Sequence, residues 1–487
     1  MNDLIENKSR LYVYFLFFAA AIEFVIFVYL GFLRPFWLDE VLTFQIIYEN
    51  SLFDIIRKLY SGADTNLPFY FVILKAFAYL FGESDFALKS FSLLCTTVSF
   101  LFIYFIVRQF ISERYKVFPL FLFLLVVPIT STYLFVEVRT YAFWFMLETI
   151  FLYLYLRYNN KRRNVFLLLL FVLSLALIYT HYFSFYFLAV FGIVELVRPK
   201  KDIRFLLMLI LSFVSFIPWL PALIRQMNIG KMHVWHEQPT LNAIFIQYYI
   251  LIGKVGIILL IATLIRLIIG IKKDENKTLF LFALLLTILP LVNIVLAKFS
   301  LTVHTPRYFV TSLLGIILLF TLIIEQMKFT KTLYFIAILL SLWGGYRLYF
   351  YYIYVENKIN DLKEHLEYNL QKTKIVCESS KDFYPLWYYS LKKDKQINFV
   401  FLLDSLTYTS EIANKGQIFD YFLIKNYMNF YDIKGVHFYE DFVNRYKEFY
   451  FIKREGLLLK SRFRPEKGFT TKKLGDNLYF IRKKKKI

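Results

Sequence analysis

Nowhere does this sequence contain a GxxxxGK(S/T) phosphate loop, a GxGxxG turn after a strand or a GxSxG elbow. Nucleotide-driven transport, dinucleotide chemistry and an α/β-hydrolase site therefore have no local support. Cysteine is almost missing: of 487 residues only Cys95, in an apolar run, and Cys377, in a polar tail, carry a thiol. That excludes a disulfide framework and a CxxC metal site. Charge is scarce as well, at 19%, while 59% of residues are hydrophobic and 21% aromatic. Such a composition lies outside that of soluble globular domains and identifies a polytopic membrane protein. The net charge of +21 comes from Lys and Arg clustered between apolar runs, the distribution of topology signals and not of a nucleic-acid surface. No internal repeat and no low-complexity linker divides the chain.

The first apolar run, residues 11–33, is too long for a signal-peptide core and is followed by no small-residue cleavage site, so a retained helix is expected. Runs of spanning length follow at about 85–107, 117–135, 140–156, 165–180, 182–197, 204–222, 244–265, 278–297, 307–326 and 332–350. They predict about eleven transmembrane helices. With a cytoplasmic N-terminus, the inner loops hold Arg108, Arg114 and Lys116, then Arg157, Lys161, Arg162 and Arg163, then Arg198, Lys200, Lys201 and Arg204. Every second loop is basic, as the positive-inside rule requires. Counting the apolar stretch 66–81 as a span would reverse that parity, so a helix at or partly within the interface is expected there.

Past residue 356 the chain turns polar: 373–377, 397–403, 448–452 and 478–481 read as strands, and 381–392 as a helix with an aromatic face. The expected organisation is a transmembrane domain over 1–355, with a first outer loop at 34–84, and a soluble mixed α/β domain over 356–487. An odd number of spans places that second domain outside.

All the unusual chemistry falls in the loops of the outer face. Arg34-Pro35-Phe36-Trp37-Leu38-Asp39-Glu40 sets two adjacent carboxylates within about one helical turn of the first span, beside residues suited to the interface. On a helix, neighbouring side chains diverge by about 100°, so Asp39 and Glu40 need not share a task. A carboxylate there serves as general base or hard-cation ligand, or the pair is a solvated start to an interfacial helix. Glu137, Arg139 and Tyr141 occupy a tight connection between spans, where charge is costly unless it is paired or faces a wet cavity. Arg139 and Arg307 present guanidinium forks suited to phosphate, or else snorkel to headgroups. His181 sits in a Thr-His-Tyr turn, and His233 with His236 has i, i+3 spacing; neither is a strong metal pattern. Glu23, alone in the first span, is a functional candidate or is matched by a polar partner in the bundle.

The order of these elements resembles the C-type membrane glycosyltransferases, close to bacterial relatives of protein O-mannosyltransferases and lipid A aminoarabinose transferases. Trp37-Leu38-Asp39-Glu40 follows the first helix, and Asn66-Leu67-Pro68-Phe69-Tyr70 is similar to that family's Pro-Pro-Leu-Tyr segment. Phe81-Gly82-Glu83-Ser84-Asp85-Phe86-Ala87-Leu88-Lys89 is similar to its Phe-Gly-x-Ser-x-x-Ala-x-Arg entry to helix two. Glu137-Val138-Arg139-Thr140-Tyr141-Ala142, Tyr179-Thr180-His181-Tyr182 and Pro306-Arg307-Tyr308 continue the series, which covers about the first 350 residues. Asn66 and Lys89 depart from the pattern, standing where a second Pro or a His and an Arg are usual.

The resemblance implies inverting transfer of a hexosyl or pentosyl group from a polyprenyl-phosphate donor to an envelope glycan, lipid or protein at the outer face of the plasma membrane. It makes Asp39 the general base, with Glu40 and Glu137 positioning the acceptor or a divalent cation, Mg or Mn, for which Asp39 and Glu40 are the ligands to test. Arg139 and Arg307 would stabilise the leaving phosphate. Tyr141, His181, Tyr182 and Tyr308 would line the substrate cavity, and Asp64 stands at its mouth. The competing class is a transporter or flippase of a lipid-linked sugar, which calls for charges at the bilayer midplane and paired broken helices.

Overall fold

The computed structural model describes residues 2–48, 51–110, 134–161, 163–232, 240, 242–270, 274–298, 306–326, 330–368, 373–394, 398–404, 415–453, 462–475 and 477–484. The helices that precede the sheet are α1 (Asn2–Leu33), α2 (Leu38–Tyr48), α3 (Leu52–Tyr60), α4 (Pro68–Phe81), α5 (Asp85–Val107), α6 (Thr140–Lys161), α7 (Asn164–Ile178) and α8 (Ser184–Val197). They continue as α9 (Ile203–Val214), α10 (Leu220–Met232), α11 (Asn242–Gly270), α12 (Asp274–Thr287), α13 (Leu289–Lys298), α14 (Val310–Gln326) and α15 (Thr330–Tyr368). The chain forms two compact units: Met1–Leu33, Asn66–Pro218 and Gln238–Tyr354 in the first, Arg34–Thr65, Trp219–Glu237 and Val355–Ile487 in the second.

The first unit is helical. Asp85–Val107, Ile203–Asn228 and Leu279–Ala297 are long and apolar enough to cross a membrane, and counting each of two bent helix pairs as one span gives up to five among the described residues. This is a multi-pass membrane protein. The expected run 117–135 lies almost wholly outside the described residues, and the other expected runs are helical, several in pieces shorter than a span. Residues 66–81 give the short helix α4, entered through Pro68 at its first turn. The expected span 244–265 is broken instead of continuous: Gly253 adopts φ 69° and ψ 177°, a conformation that only glycine takes without strain.

Polar pairs hold these helices together where lipid offers no hydrogen bonds. The buried Lys89 ammonium of α5 donates to the Gly31 and Phe32 carbonyls at 3.1 and 3.3 Å, satisfying the last carbonyls of α1. Glu148 on α6 accepts the Thr311 hydroxyl of α14 at 2.6 Å, and Glu23 accepts Ser341 at 2.8 Å, which supplies the bundle partner for that isolated acid. Gly315 lets α14 approach α12, since a Cβ there would lie 2.7 Å from the Ala283 carbonyl oxygen and the Thr287 amide nitrogen. At the basic ends of α6 and α8, the Glu195 carboxylate accepts Tyr155 OH, Arg198 Nη1 and the Asp202 N–H at 3.1, 3.1 and 2.7 Å. Asp202 then caps the start of α9.

The second unit contains a six-stranded sheet of β1 (Ile375–Cys377), β2 (Phe399–Leu403), β3 (Val436–Phe438), β4 (Glu448–Ile452), β5 (Phe469–Lys473) and β6 (Leu478–Lys483), in the order β3-β2-β1-β4-β6-β5. The first four strands are parallel, and β6 and β5 extend them antiparallel. Ile-Val-Cys and Phe-Val-Phe-Leu-Leu are buried throughout, as parallel strands covered on both faces must be. The helices α16 (Ser380–Asp394), α17 (Lys415–Met428) and α18 (Tyr439–Arg445) connect them. The expected aromatic helix is α16, with Phe383, Tyr384, Trp387 and Tyr388 buried; β3 and β5 are strands that the sequence pattern did not disclose. Strand order reverses between β1 and β4, the place where such sheets take phosphates at a helix start. Here the buried Asp420 carboxylate fills it, receiving the Ser380 N–H at 3.0 Å and the Ser380 hydroxyl.

Gly253→Ala is expected to lower the thermal unfolding midpoint in detergent, the backbone conformation alone costing about 1–3 kcal/mol. A Cβ there would also lie 2.2 Å from the Trp343 ring, so adding Trp343→Ala should recover the steric share of the loss and leave the backbone share. Equal midpoints for Gly253→Ala and the parent would contradict the break.

Candidate active site

The carboxylate stretch belongs to the second unit and is fixed by its own side chains. Trp37 caps α2, and Glu40, three residues on, reaches back so that Oε2 accepts the Trp37 N–H at 3.1 Å, one half of a capping box. The same oxygen accepts Arg34 Nη2 at 2.8 Å, with both side chains nearly out of solvent at 4% and 0% exposure. Asp39 is half-buried, and its backbone carbonyl accepts the Thr43 hydroxyl at 2.9 Å. The two adjacent acids are thus divided, Glu40 fastening the helix start while Asp39 lies on another face. Asp64, in the same unit, accepts the Tyr427 hydroxyl, and Asn426 donates to the Gly62 and Ala63 carbonyls at 3.2 Å each.

The remaining expected residues gather in the first unit, where three connections converge. The turn before α6 is shaped by a hydrogen bond from Arg139 N to the Glu137 carbonyl at 2.8 Å, and Ser92 of α5 donates to that carbonyl at 2.7 Å. The turn after α7 receives the Phe69 N–H of α4 on the Tyr179 carbonyl at 3.1 Å, which brings the Leu67-Pro68-Phe69 segment against Tyr179-Thr180-His181. A short 3-10 turn at Pro306–Phe309 carries Arg307 and Tyr308 into α14. Between these turns the rings form a floor: Tyr141 to His181 at 6.1 Å, His181 to Tyr308 at 5.3 Å and Tyr141 to Tyr308 at 6.4 Å. The Arg307 guanidinium lies 5.8 Å above the Tyr141 ring. Tyr182 meets Phe216 edge-on at 6.2 Å.

His181 reports the charge of this pocket. Burial, then the positive fields of Arg139 and Arg307, push its imidazole down to about 3, so it is neutral in the working range. Its Nδ1 accepts the Phe183 N–H at 3.2 Å, which leaves the ring proton on Nε2 as a donor. Two guanidiniums and an uncharged donor over aromatic rings make a site for an oxyanion. The sequence reading missed Trp144, whose indole stacks on His181 at 4.2 Å, and Phe183, 5.2 Å from Tyr308. Trp144 was accessible as the residue one helical turn beyond Tyr141. His233 and His236 lie outside the described residues. Among the described residues no three His, Cys, Asp or Glu side chains gather to hold a metal ion.

Residues 65–221 match the family model described as dolichyl-phosphate-mannose-protein mannosyltransferase, a stretch that takes in the Arg139 and His181 turns and stops short of Asp39 and Arg307. No curated protein matches significantly. Among solved structures, ArnT from Cupriavidus metallidurans bound to undecaprenyl phosphate is similar over 96% of this chain and 97% of its own, with a TM-score of 0.59 and 9% identity.

Glu40→Ala would leave Arg34 buried without that carboxylate and is expected to destabilise the protein by about 3–5 kcal/mol, read by chemical or thermal unfolding. For His181 the sign runs with acid: the unfolded chain takes a proton near the ordinary 6.5, while the fold refuses it until about 3. Stability should therefore fall as pH drops from 6.5 toward 3, and His181→Phe should flatten that slope; an unchanged slope would remove His181 from the pocket. The chain thus shares its fold with that ArnT structure, and over residues 65–221 it matches the mannosyltransferase family model.

Proposed function

We propose that this chain moves a sugar from a polyprenyl-phosphate carrier to an acceptor at the outer face of the membrane, with inversion at the anomeric carbon. The observation that carries the reading is the pocket of Arg139, Arg307 and a neutral His181 over the Tyr141 and Tyr308 rings. As the anomeric carbon–oxygen bond breaks, negative charge collects on the leaving phosphate, and donors already in place stabilise it without reorganising. Undecaprenyl phosphate in the similar ArnT structure supports a polyprenyl carrier, and the mannosyltransferase family model supports a sugar as the group moved.

Asp39 is the general base, taking the proton of the acceptor hydroxyl or amine as that atom attacks the anomeric carbon. Glu40 is occupied by Arg34 and Trp37 and serves to hold the Asp39 segment. Glu137 is a candidate for positioning the acceptor, Tyr182 for lining the substrate cavity, and Asp64, which accepts the Tyr427 hydroxyl, is a further candidate. Asp39 and Glu40 do not suit an Mg or Mn ion as a pair, because they lie on different faces of α2 and Glu40 Oε2 already accepts Arg34 and the Trp37 N–H. Alternation of basic loops supports a cytoplasmic N-terminus, with the site and residues 356–487 on the other side.

The test is sugar transfer by purified protein in liposomes, with a panel of polyprenyl-phosphate sugars and envelope extracts. Asp39→Asn should slow turnover about a hundredfold or more with donor still bound, and Arg139→Ala should cost about 10²–10³ in kcat. Full activity in Asp39→Asn would remove the base assignment. Failure of every donor, with labelled lipid-linked sugar crossing the bilayer, would replace the transferase with a flippase.

A further inference from the structure

The sheet of the second unit lies some 300 residues beyond the Asp39 stretch in sequence, yet its helices grip that stretch at both ends. At the front end Pro35 has no N–H and Phe36 precedes the helix, so the Phe36 N–H has no intrahelical acceptor. The Tyr389 hydroxyl of α16 accepts it at 2.8 Å. Phe36, 1% exposed, stacks on the Tyr388 ring at 5.4 Å and 20°, and Phe44 of α2 meets the same ring edge-on at 4.9 Å and 72°. The Lys392 ammonium closes the group, 4.4 Å from Tyr388 and 5.7 Å from Phe44. Phe36 and Phe44 bracket Asp39 in the chain, so one tyrosine ring touches residues before and after it in sequence. At the rear end α17 supplies Asn426 to the Gly62 and Ala63 carbonyls and Tyr427 to Asp64, while Lys58 lies 4.5 Å over Tyr431.

We propose that the C-terminal sheet is a clamp for the carboxylate loop, with Tyr388 and Tyr389 as positioning residues that aim Asp39 and Asn426 fixing the loop's return. The proposal rests on Asp39 being the general base. From within the loop, Glu40 fastens the first helical turn, and the two anchors from the sheet's helices hold the segment ahead of that turn and its return. Without the tyrosines, α2 could rotate about that point and carry Asp39 off its line of attack. A misplacement of about 1 Å at a reacting group costs on the order of a hundredfold in rate.

Three variants in the liposome assay test this, each reported per folded, monodisperse protein: Tyr388→Ala, Tyr389→Phe and Asn426→Ala. Tyr388→Ala should lower kcat about ten- to a hundredfold with donor KM nearly unchanged, and Tyr389→Phe, which loses only the hydroxyl, should lower it less. In the Asp39→Asn background Tyr388→Ala should cost nothing further, since it acts through a base already removed. Multiplying losses, or unchanged kcat in all three variants while Asp39→Asn is inactive, would overturn the clamp. Hydrogen exchange separates this from failure of the function itself. Amides of residues 36–44 should exchange faster in Tyr388→Ala than in the parent even where no donor is turned over, and equal exchange would overturn the clamp by itself.

Discussion

Arg34 and Glu40 meet at 2.8 Å with almost no solvent on either side chain, and the local layout follows from that ion pair. Burying two charges is favourable only where geometry and further hydrogen bonds make up for lost hydration. The Trp37 N–H supplies one such bond, and through it the pair also starts α2. The result is a helix whose first turn is fixed by Glu40, with the neighbouring acid on a different face.

The cationic pocket of the first unit is assembled on the same logic of satisfied backbone. Each of its three turns is tied to another element: Ser92 donates to the Glu137 carbonyl, the Phe69 N–H to the Tyr179 carbonyl, and Thr311, just past the Arg307 turn, to Glu148. Arginines with few routes to water gain from aromatic faces and from anionic ligands, and both are what a lipid phosphate site requires. Burial, and then the two guanidiniums, disfavour a charged His181, so the pocket keeps it neutral.

The C-terminal sheet has the strand order of a nucleotide-binding half, with the helix start at its switch point occupied by Asp420. That helix start therefore faces a carboxylate of the same unit. Its helices present aromatic and amide side chains to the 34–65 segment instead. The same compact unit includes 219–237, where Arg225 and Gln226 donate to the Tyr60 and Leu59 carbonyls at 3.3 Å each. The loop and the sheet are therefore one structural object despite their distance in sequence.

Hydrophobic periodicity and basic loops determined the membrane class, the helical first part and the strands β1, β2, β4 and β6, because these features repeat within a few residues and need no distant partner. The motifs Glu137-Val138-Arg139, Thr180-His181 and Pro306-Arg307-Tyr308 were legible for a related reason: charged or polar residues are conspicuous at the ends of apolar runs. Three features lay beyond that reach. The break at Gly253 inside an unbroken apolar run depends on one positive φ, and a lone glycine in a helix pattern does not announce it. The edge strands β3 and β5 are short and partly exposed, so they lack a buried face to mark them. Which of Asp39 and Glu40 fastens the loop, and that Tyr388, Tyr389 and Asn426 hold it, only the tertiary structure decided. The tyrosine and asparagine pairings join residues more than 300 positions apart, and they are fixed by how the chain is threaded and not by any local pattern.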